Sequence, residues 1–146
     1  MNSCGQNWEE NGDHCYFWSN TKMAWNAAEA FCQAEGGHLA SVGSSATEDY
    51  LTKGLANRGY DRAWFGGSDI EEEGTWKWAD CTPWEFTFWK AGEPNNFGGN
   101  QHCLWHHIYH SWDDYKCSEE QLFVCSKKIC PGNIKRDSSR LFSNKL

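Results

Sequence analysis

Along residues 22–35, KMAWNAAEAFCQAE, small and apolar side chains recur at helical spacing, so that Ala24, Ala27, Ala28, Phe31 and Cys32 fall on one face. Thr21 offers an N-cap oxygen and Gly36-Gly37 a stop, which predicts a helix over this stretch. A second helix is predicted over residues 46–58, where Ser45 and Glu48 have capping-box spacing and Gly59 follows the last turn. From Ala63 the texture changes to short aromatic runs broken by Gly and Pro, which read as strands and loops. The alternation of Trp84, Phe86, Phe88 and Trp89 predicts a strand inside a loop. Residues 90–102, KAGEPNNFGGNQH, form a long polar loop of the kind that carries function or is disordered, and Cys103 directly after it is placed to tie it down. The basic, Ser-rich stretch 131–146 predicts a flexible tail after a domain over 1–130. The expected architecture is α+β, two helices followed by antiparallel sheets rich in loops.

Composition narrows the picture. A chain of 146 residues holds one core and no second of full size. Its 10 Trp, 8 Phe and 5 Tyr exclude a disordered polymer. The net charge of −7 is uneven: residues 1–125 carry 7 basic and 19 acidic side chains, residues 126–146 carry 6 and 1. An acidic body argues against nucleic acid as the main partner, and no apolar stretch approaches the length of a bilayer span. The eight cysteines contain no CxxC pair, so zinc-finger spacing is missing and a disulfide framework is expected. That framework implies an oxidising compartment and a secreted protein. Met1-Asn2-Ser3-Cys4 has no basic or hydrophobic leader segment, so the expectation is a chain whose signal peptide has been removed and whose Met1 is not native. No N-glycosylation sequon occurs, and no G-x-S-x-G, P-loop or dinucleotide fingerprint points to an enzyme.

Several short motifs then fall in a fixed order. Cys4 and Cys15 come first, Cys32 falls on the first predicted helix, and Gly37-His38-Leu39-Ala40-Ser41 follows. Trp64-Phe65-Gly66-Gly67, Trp76-Lys77-Trp78-Ala79-Asp80, Glu93-Pro94-Asn95 and Trp112-Asp113-Asp114 come next, with Cys103, Cys117 and Cys125 spaced by 14 and 8. From Cys4 to Cys125 the chain thereby resembles a C-type lectin domain of the long form, through that family's HLAS, WIGL, EPN and WND segments. Its GGN-rich loop is similar to those of soluble fish lectins of mucus and plasma. The resemblance implies a disulfide-stapled fold with a long calcium- and sugar-binding loop, and the pairs Cys4–Cys15, Cys32–Cys125 and Cys103–Cys117. Cys81 and Cys130 are left over and are expected to join two copies in a covalent homodimer.

The resemblance also implies a site. Calcium takes six to eight oxygen ligands and can accept two vicinal sugar hydroxyls directly, while carboxylates and amides around it accept and donate hydrogen bonds to the same hydroxyls. Glu93, Asn95, Gln101, Asp113 and Asp114 are the expected ligands of both ion and sugar, with the proline of the EPN segment cis. Gln101 stands where the family has Glu, and Asp113 where it has Asn. The charge of −3 is kept, but acid and amide are exchanged in this second pair, which leaves mannose-type against galactose-type preference open. At a second family calcium position Asp69 and Glu73 are acidic, but Asn96 and His102 replace carboxylates, and a solvated turn through Asp69 and Glu71-Glu72-Glu73 is the expected reading. His102, His106, His107 and His110 flank the sugar site on this reading rather than binding zinc, and their titration near neutrality makes sugar binding weaken toward pH 5. Trp105 is the aromatic expected to stack on a sugar face, the other tryptophans being core. The function expected is a secreted lectin that agglutinates microbes or cells in innate defence. The alternatives are calcium-independent galactose or lactose binding, and the ice-binding or protein-binding roles of the same fold.

Overall fold

A computed structural model describes residues 4–80 and 82–128. The predicted domain end at residue 130, the tail 131–146 and the cysteines Cys81 and Cys130 lie outside the described residues. In chain order the elements are β1 (Glu9–Asn11), β2 (His14–Trp18), α1 (Trp25–Ala34), β3 (His38–Leu39), α2 (Ser45–Asn57), β4 (Arg62–Ser68), β5 (Lys77–Trp78), β6 (Cys103–His107), β7 (Ser111–Tyr115) and β8 (Val124–Lys128), with a short 3-10 turn at Phe97–Gly99. They form two antiparallel sheets, ordered β1-β2-β8-β3 and β5-β4-β6-β7. The predicted α+β class with two helices is what the structure has. No described helix is long and apolar enough to cross a membrane.

Both helices depart from the local prediction for long-range reasons. Met23 is not helical, because its N–H and C=O are taken by Gln121 in an isolated bridge. Helix α1 therefore starts at Trp25 behind Ala24, which has no capping side chain, and Thr21 turns to Asn20 instead. The buried stripe is Trp25, Ala28 and Cys32, while Ala27 faces solvent. In α2 the cap is Ser44, whose Oγ accepts the Thr47 N–H at 3.2 Å, rather than Ser45. Glu48 does not complete a capping box. It turns into the core, 3% exposed, where its Oε1 accepts the Trp112 indole N–H at 2.9 Å. Residues 82–88 form no strand; Trp84 and Phe86 pack around Trp112, Phe88 is exposed, and Trp89 bridges to Trp112.

The three disulfides Cys4–Cys15, Cys32–Cys125 and Cys103–Cys117 are present. The second joins α1 to β8 across 93 residues, a loop whose closure stabilises the fold by about 4–5 kcal/mol in the chain-entropy view. The two sheets meet where Gly66 of β4 donates its N–H to Ala40 O at 2.8 Å. A side chain at Gly66 would put its Cβ 2.5 Å from Leu39 O, so this contact requires glycine. The seam positions β4, and through β4 the adjoining β6 and β7.

One buried histidine reports on the core. His106 is 1% exposed, its ring stacked on Phe65 with centroids 5.0 Å apart, and its Nε2 lies 2.9 Å from Thr52 Oγ1 and 3.2 Å from Glu48 Oε2. Burial pushes its pKa down from 6.5 to about 4. Between those values the unfolded chain takes up a proton that the folded one refuses, so this group lowers stability by about 3 kcal/mol as pH falls from 6.5 to 4. Burial raises the pKa of Glu48, which acts in the opposite sense, so His106→Gln is the reference that isolates the imidazole. In urea titrations the wild type is expected to lose stability relative to His106→Gln across that window and to run parallel to it above pH 7. Parallel curves throughout would show that the imidazole is not held neutral.

Candidate functional site

The long loop leaves and rejoins the β-structure at one residue. Trp112 of β7 donates its N–H to Phe88 O at 3.0 Å and accepts the Lys90 N–H at 2.8 Å, so the loop root pairs along the free edge of β7. Glu93 N–H then bonds back to Lys90 O at 2.9 Å, and the Glu93–Pro94 peptide is cis, as the resemblance implied. Beyond it the chain is held by a single carboxylate. Asp114, 1% exposed on β7, accepts the Asn95 N–H at Oδ1 (3.3 Å) and the Asn96 N–H at Oδ2 (2.6 Å). Asn96 sits at φ 47 and its Oδ1 accepts the Gln101 N–H at 2.9 Å, which folds the tip back on itself. The Cys103–Cys117 disulfide closes the far end of the loop.

This folding gathers three carboxylates. Oxygens of Glu93, Asp113 and Asp114 lie within 4.8 Å of one another. Glu93 Oε1 is buried with no hydrogen-bond partner, and Oε2 receives only the Asn95 amide at 3.4 Å. Loss of solvent, and then the two aspartates beside it, push the Glu93 pKa up to about 8; loss of solvent also raises Asp113, with the hydrogen bond to Glu93 acting against it and the charge of Asp114 adding to it. Three converging acids with an orphaned buried oxygen make a donor set that fits a divalent cation bound through oxygen. Asn95 and Gln101 enter the same loop through the ties already described.

Two expectations about neighbouring side chains change. Trp105 is only 9% exposed, stacked on Tyr115 with centroids 4.0 Å apart and with the Arg62 guanidinium 5.1 Å from its ring centre, so it is a core residue and offers no open face. The ring exposed at the loop is Phe97, at 74%, whose N–H bonds to Asn95 Oδ1. Its place two residues after Asn95, as the lone aromatic of a polar loop, was the available sequence signal. The histidines do not line one site either. His106 lies in the core, and His107 and His110 pack on each other around the β6–β7 turn with centroids 4.7 Å apart. His102 Nδ1 sits 3.1 Å from Asp69 Oδ1 and 3.2 Å from Glu73 Oε1. Asp69 is not part of a solvated turn: it is 3% exposed and accepts the Gly74 N–H at 2.8 Å, although Glu71, Glu72 and Glu73 are exposed. A cleft of about 340 Å³ separates Asp69 and Glu73 from Asn95, Asn96 and Asp114.

With this fold and site in place, the comparison with known proteins is direct. The family model for the lectin C-type domain matches residues 21–127, and the chain belongs to the C-type lectin family. It is 37% identical over 133 residues to the hepatic lectin of Gallus gallus, covering 86% of this chain and 62% of that protein. It is 36% identical over 121 residues to ladderlectin of Oncorhynchus mykiss, covering 80% and 63%. The chain thus spans a little over three fifths of either relative. Among solved structures it is similar to the carbohydrate-recognition domain of the mouse scavenger receptor C-type lectin, with a TM-score of 0.80 and 30% identity over 87% of this chain and 99% of that one. It is equally similar to a calcium-independent type II antifreeze protein, with a TM-score of 0.79 and 31% identity over 86% and 94%.

The two bonds to Asp114 are charge-assisted, each worth about 1.5–3 kcal/mol. Asp114→Ala is therefore expected to speed amide exchange at Asn95 and Asn96 by about tenfold or more while leaving α1 unchanged. Unaltered exchange at the two asparagines would show that another group holds the loop.

Proposed function

We propose that this chain is a secreted lectin that binds sugar hydroxyls at a calcium ion held by Glu93, Asn95, Gln101, Asp113 and Asp114, and agglutinates microbes or cells in innate defence. The observation that carries this reading is the convergence of Glu93, Asp113 and Asp114, with carboxylate oxygens within 4.8 Å of one another, at a glutamate whose buried Oε1 has no hydrogen-bond partner. Calcium there supplies coordination positions for two vicinal hydroxyls. The side chains do the rest. Glu93 and Asp113 accept hydrogen bonds from the hydroxyls, Asn95 and Gln101 donate to them, and Phe97 offers an exposed ring beside them. Glu93 with Asn95 keeps the mannose-type order of acid and amide, while Gln101 with Asp113 reverses it. Covalent dimerisation through Cys81 and Cys130 belongs to the same reading, since two linked sites gain avidity on multivalent glycans.

The reversed pair also favours a second reading, in which the side chains hold galactose or lactose without calcium. Likeness to a calcium-independent family member supports keeping it, and ice or protein ligands are further roles of this fold.

Haemagglutination inhibited by mannose or by lactose, in calcium and again in EDTA, separates the readings. Inhibition by mannose that EDTA abolishes is the expected result. Lactose inhibition that survives EDTA would replace the calcium site by direct binding. The double change Gln101→Glu with Asp113→Asn keeps the charge and restores the common order, so it is expected to shift the ranking of the two sugars; an unchanged ranking sinks the role given to the reversed pair. On gels, a band of twice the chain mass that collapses on reduction is expected, and a monomer in both lanes excludes the covalent dimer.

A further inference from the structure

We infer that Glu48, on the helix α2 and outside the ligand set, is a positioning residue that sets the geometry of that set through the indole of Trp112. This rests on the cation-site reading above and goes beyond it in assigning a role to a residue in the core.

Trp112 is the junction of both halves of the site. Its backbone pairs with Phe88 and Lys90 at the root of the loop, and Lys90 in turn accepts the Glu93 N–H. Directly after it in the chain come Asp113 and Asp114. A rotation or slide of Trp112 therefore moves Glu93 from one side and the two aspartates from the other. The rings of Trp78, Trp84, Phe86 and Trp89 pack around the indole at 5.4–6.0 Å, but none of them offers its N–H a hydrogen-bond acceptor. The directional contact is the bond from Trp112 Nε1 to Glu48 Oε1 at 2.9 Å, between residues 64 apart in sequence.

Glu48 is itself held. Its Oε2 accepts the Thr52 hydroxyl at 3.0 Å one turn along α2 and lies 3.2 Å from His106 Nε2. A carboxylate this deeply buried costs stability unless its partners repay desolvation. An apolar side chain would pack among these rings at lower cost, but it would leave the indole N–H without an acceptor. The arrangement parallels the outer-sphere groups that orient metal ligands, whose loss typically lowers metal affinity by about 10–100-fold.

The test uses the full chain. Calcium alone is titrated by calorimetry into wild type, Glu48→Met, Glu48→Gln and Trp112→Phe, and amide exchange over residues 112–115 is followed for each in EDTA. Methionine keeps the volume and removes the acceptor, and glutamine returns it. Glu48→Met is expected to lower calcium affinity by about tenfold or more. Glu48→Gln is expected to restore it, and Trp112→Phe, which removes the donor without touching α2, to reproduce the loss. Adding Glu48→Met to Trp112→Phe is expected to change affinity little further, because the two substitutions break one bond. In EDTA, Glu48→Met is expected to speed exchange in β7 more than in α1. Calcium affinity unchanged by Glu48→Met, or exchange accelerated equally in α1 and β7, overturns the proposal and leaves Glu48 a core residue only. A wild type that takes up no calcium removes the cation reading instead, and the exchange data in EDTA then decide the role of Glu48 alone. Should Glu48→Met fail to fold, Trp112→Phe carries the same comparison.

Discussion

The bonds at Trp112 are the constraint on which the site depends. A long polar loop has no core of its own, so its shape is decided where it is anchored. Here the anchor is an edge strand, and β7 has a free edge because it is the last strand of its sheet. The loop root fills that edge at a single residue, with Phe88 O and the Lys90 N–H on the two sides of Trp112. The same residue is fully buried and tied by its side chain to α2. Sheet, loop and helix are thus fixed to one another at one point, and everything beyond Lys90 inherits that geometry. The long span closed by Cys32–Cys125 and the close approach at Gly66 serve the same end from further back, because they hold the sheet that presents β7.

What the sequence made legible were features whose signal is local or set by fixed spacing. The cysteine intervals and the ordered tripeptides carried the fold and the acidic residues of the site, and the cis peptide before Pro94 followed from the same resemblance. What it hid was set by partners far along the chain. Met23 reads as the start of a helix until Gln121 claims its backbone. Glu48 reads as a capping residue until Trp112 claims its carboxylate, and no local rule announces a partner 64 residues away. The alternating aromatics from Trp84 to Trp89 have the period of a strand, but Trp84, Phe86 and Trp89 pack inward on Trp112 and Phe88 faces solvent, rather than pairing as a ladder. Trp105 and Phe97 exchanged roles for a related reason. A tryptophan on β6 opposite Asp113 looks close to the site in register, yet side-chain stacking on Tyr115 covers it. Phe97 has no pairing partner in the sheets and is left facing solvent.

On the proposed reading, the electrostatics of the site would couple ion and loop. Two of its three acids, Asp113 and Asp114, sit on a strand held on both edges, and the third, Glu93, arrives on the loop. This crowding opposes a charge on Glu93, whose pKa is raised first by loss of solvent and then by the two aspartates. Against it act the two backbone N–H groups that Asp114 accepts from Asn95 and Asn96. Asp114 therefore pulls the loop in with the same carboxylate whose charge disfavours ionisation of Glu93. On the reading proposed above, a dication between the three acids would favour their ionised forms while leaving the backbone bonds to Asp114 in place, so occupancy would be linked to loop docking. The exchange of Gln101 and Asp113 places the second acid on the rigid strand and the second amide on the loop, while the charge stays at −3. On the reading proposed above, charge sets the demand for the ion and the arrangement of acid and amide sets which hydroxyls share it. In this chain the first is the family's and the second is its own.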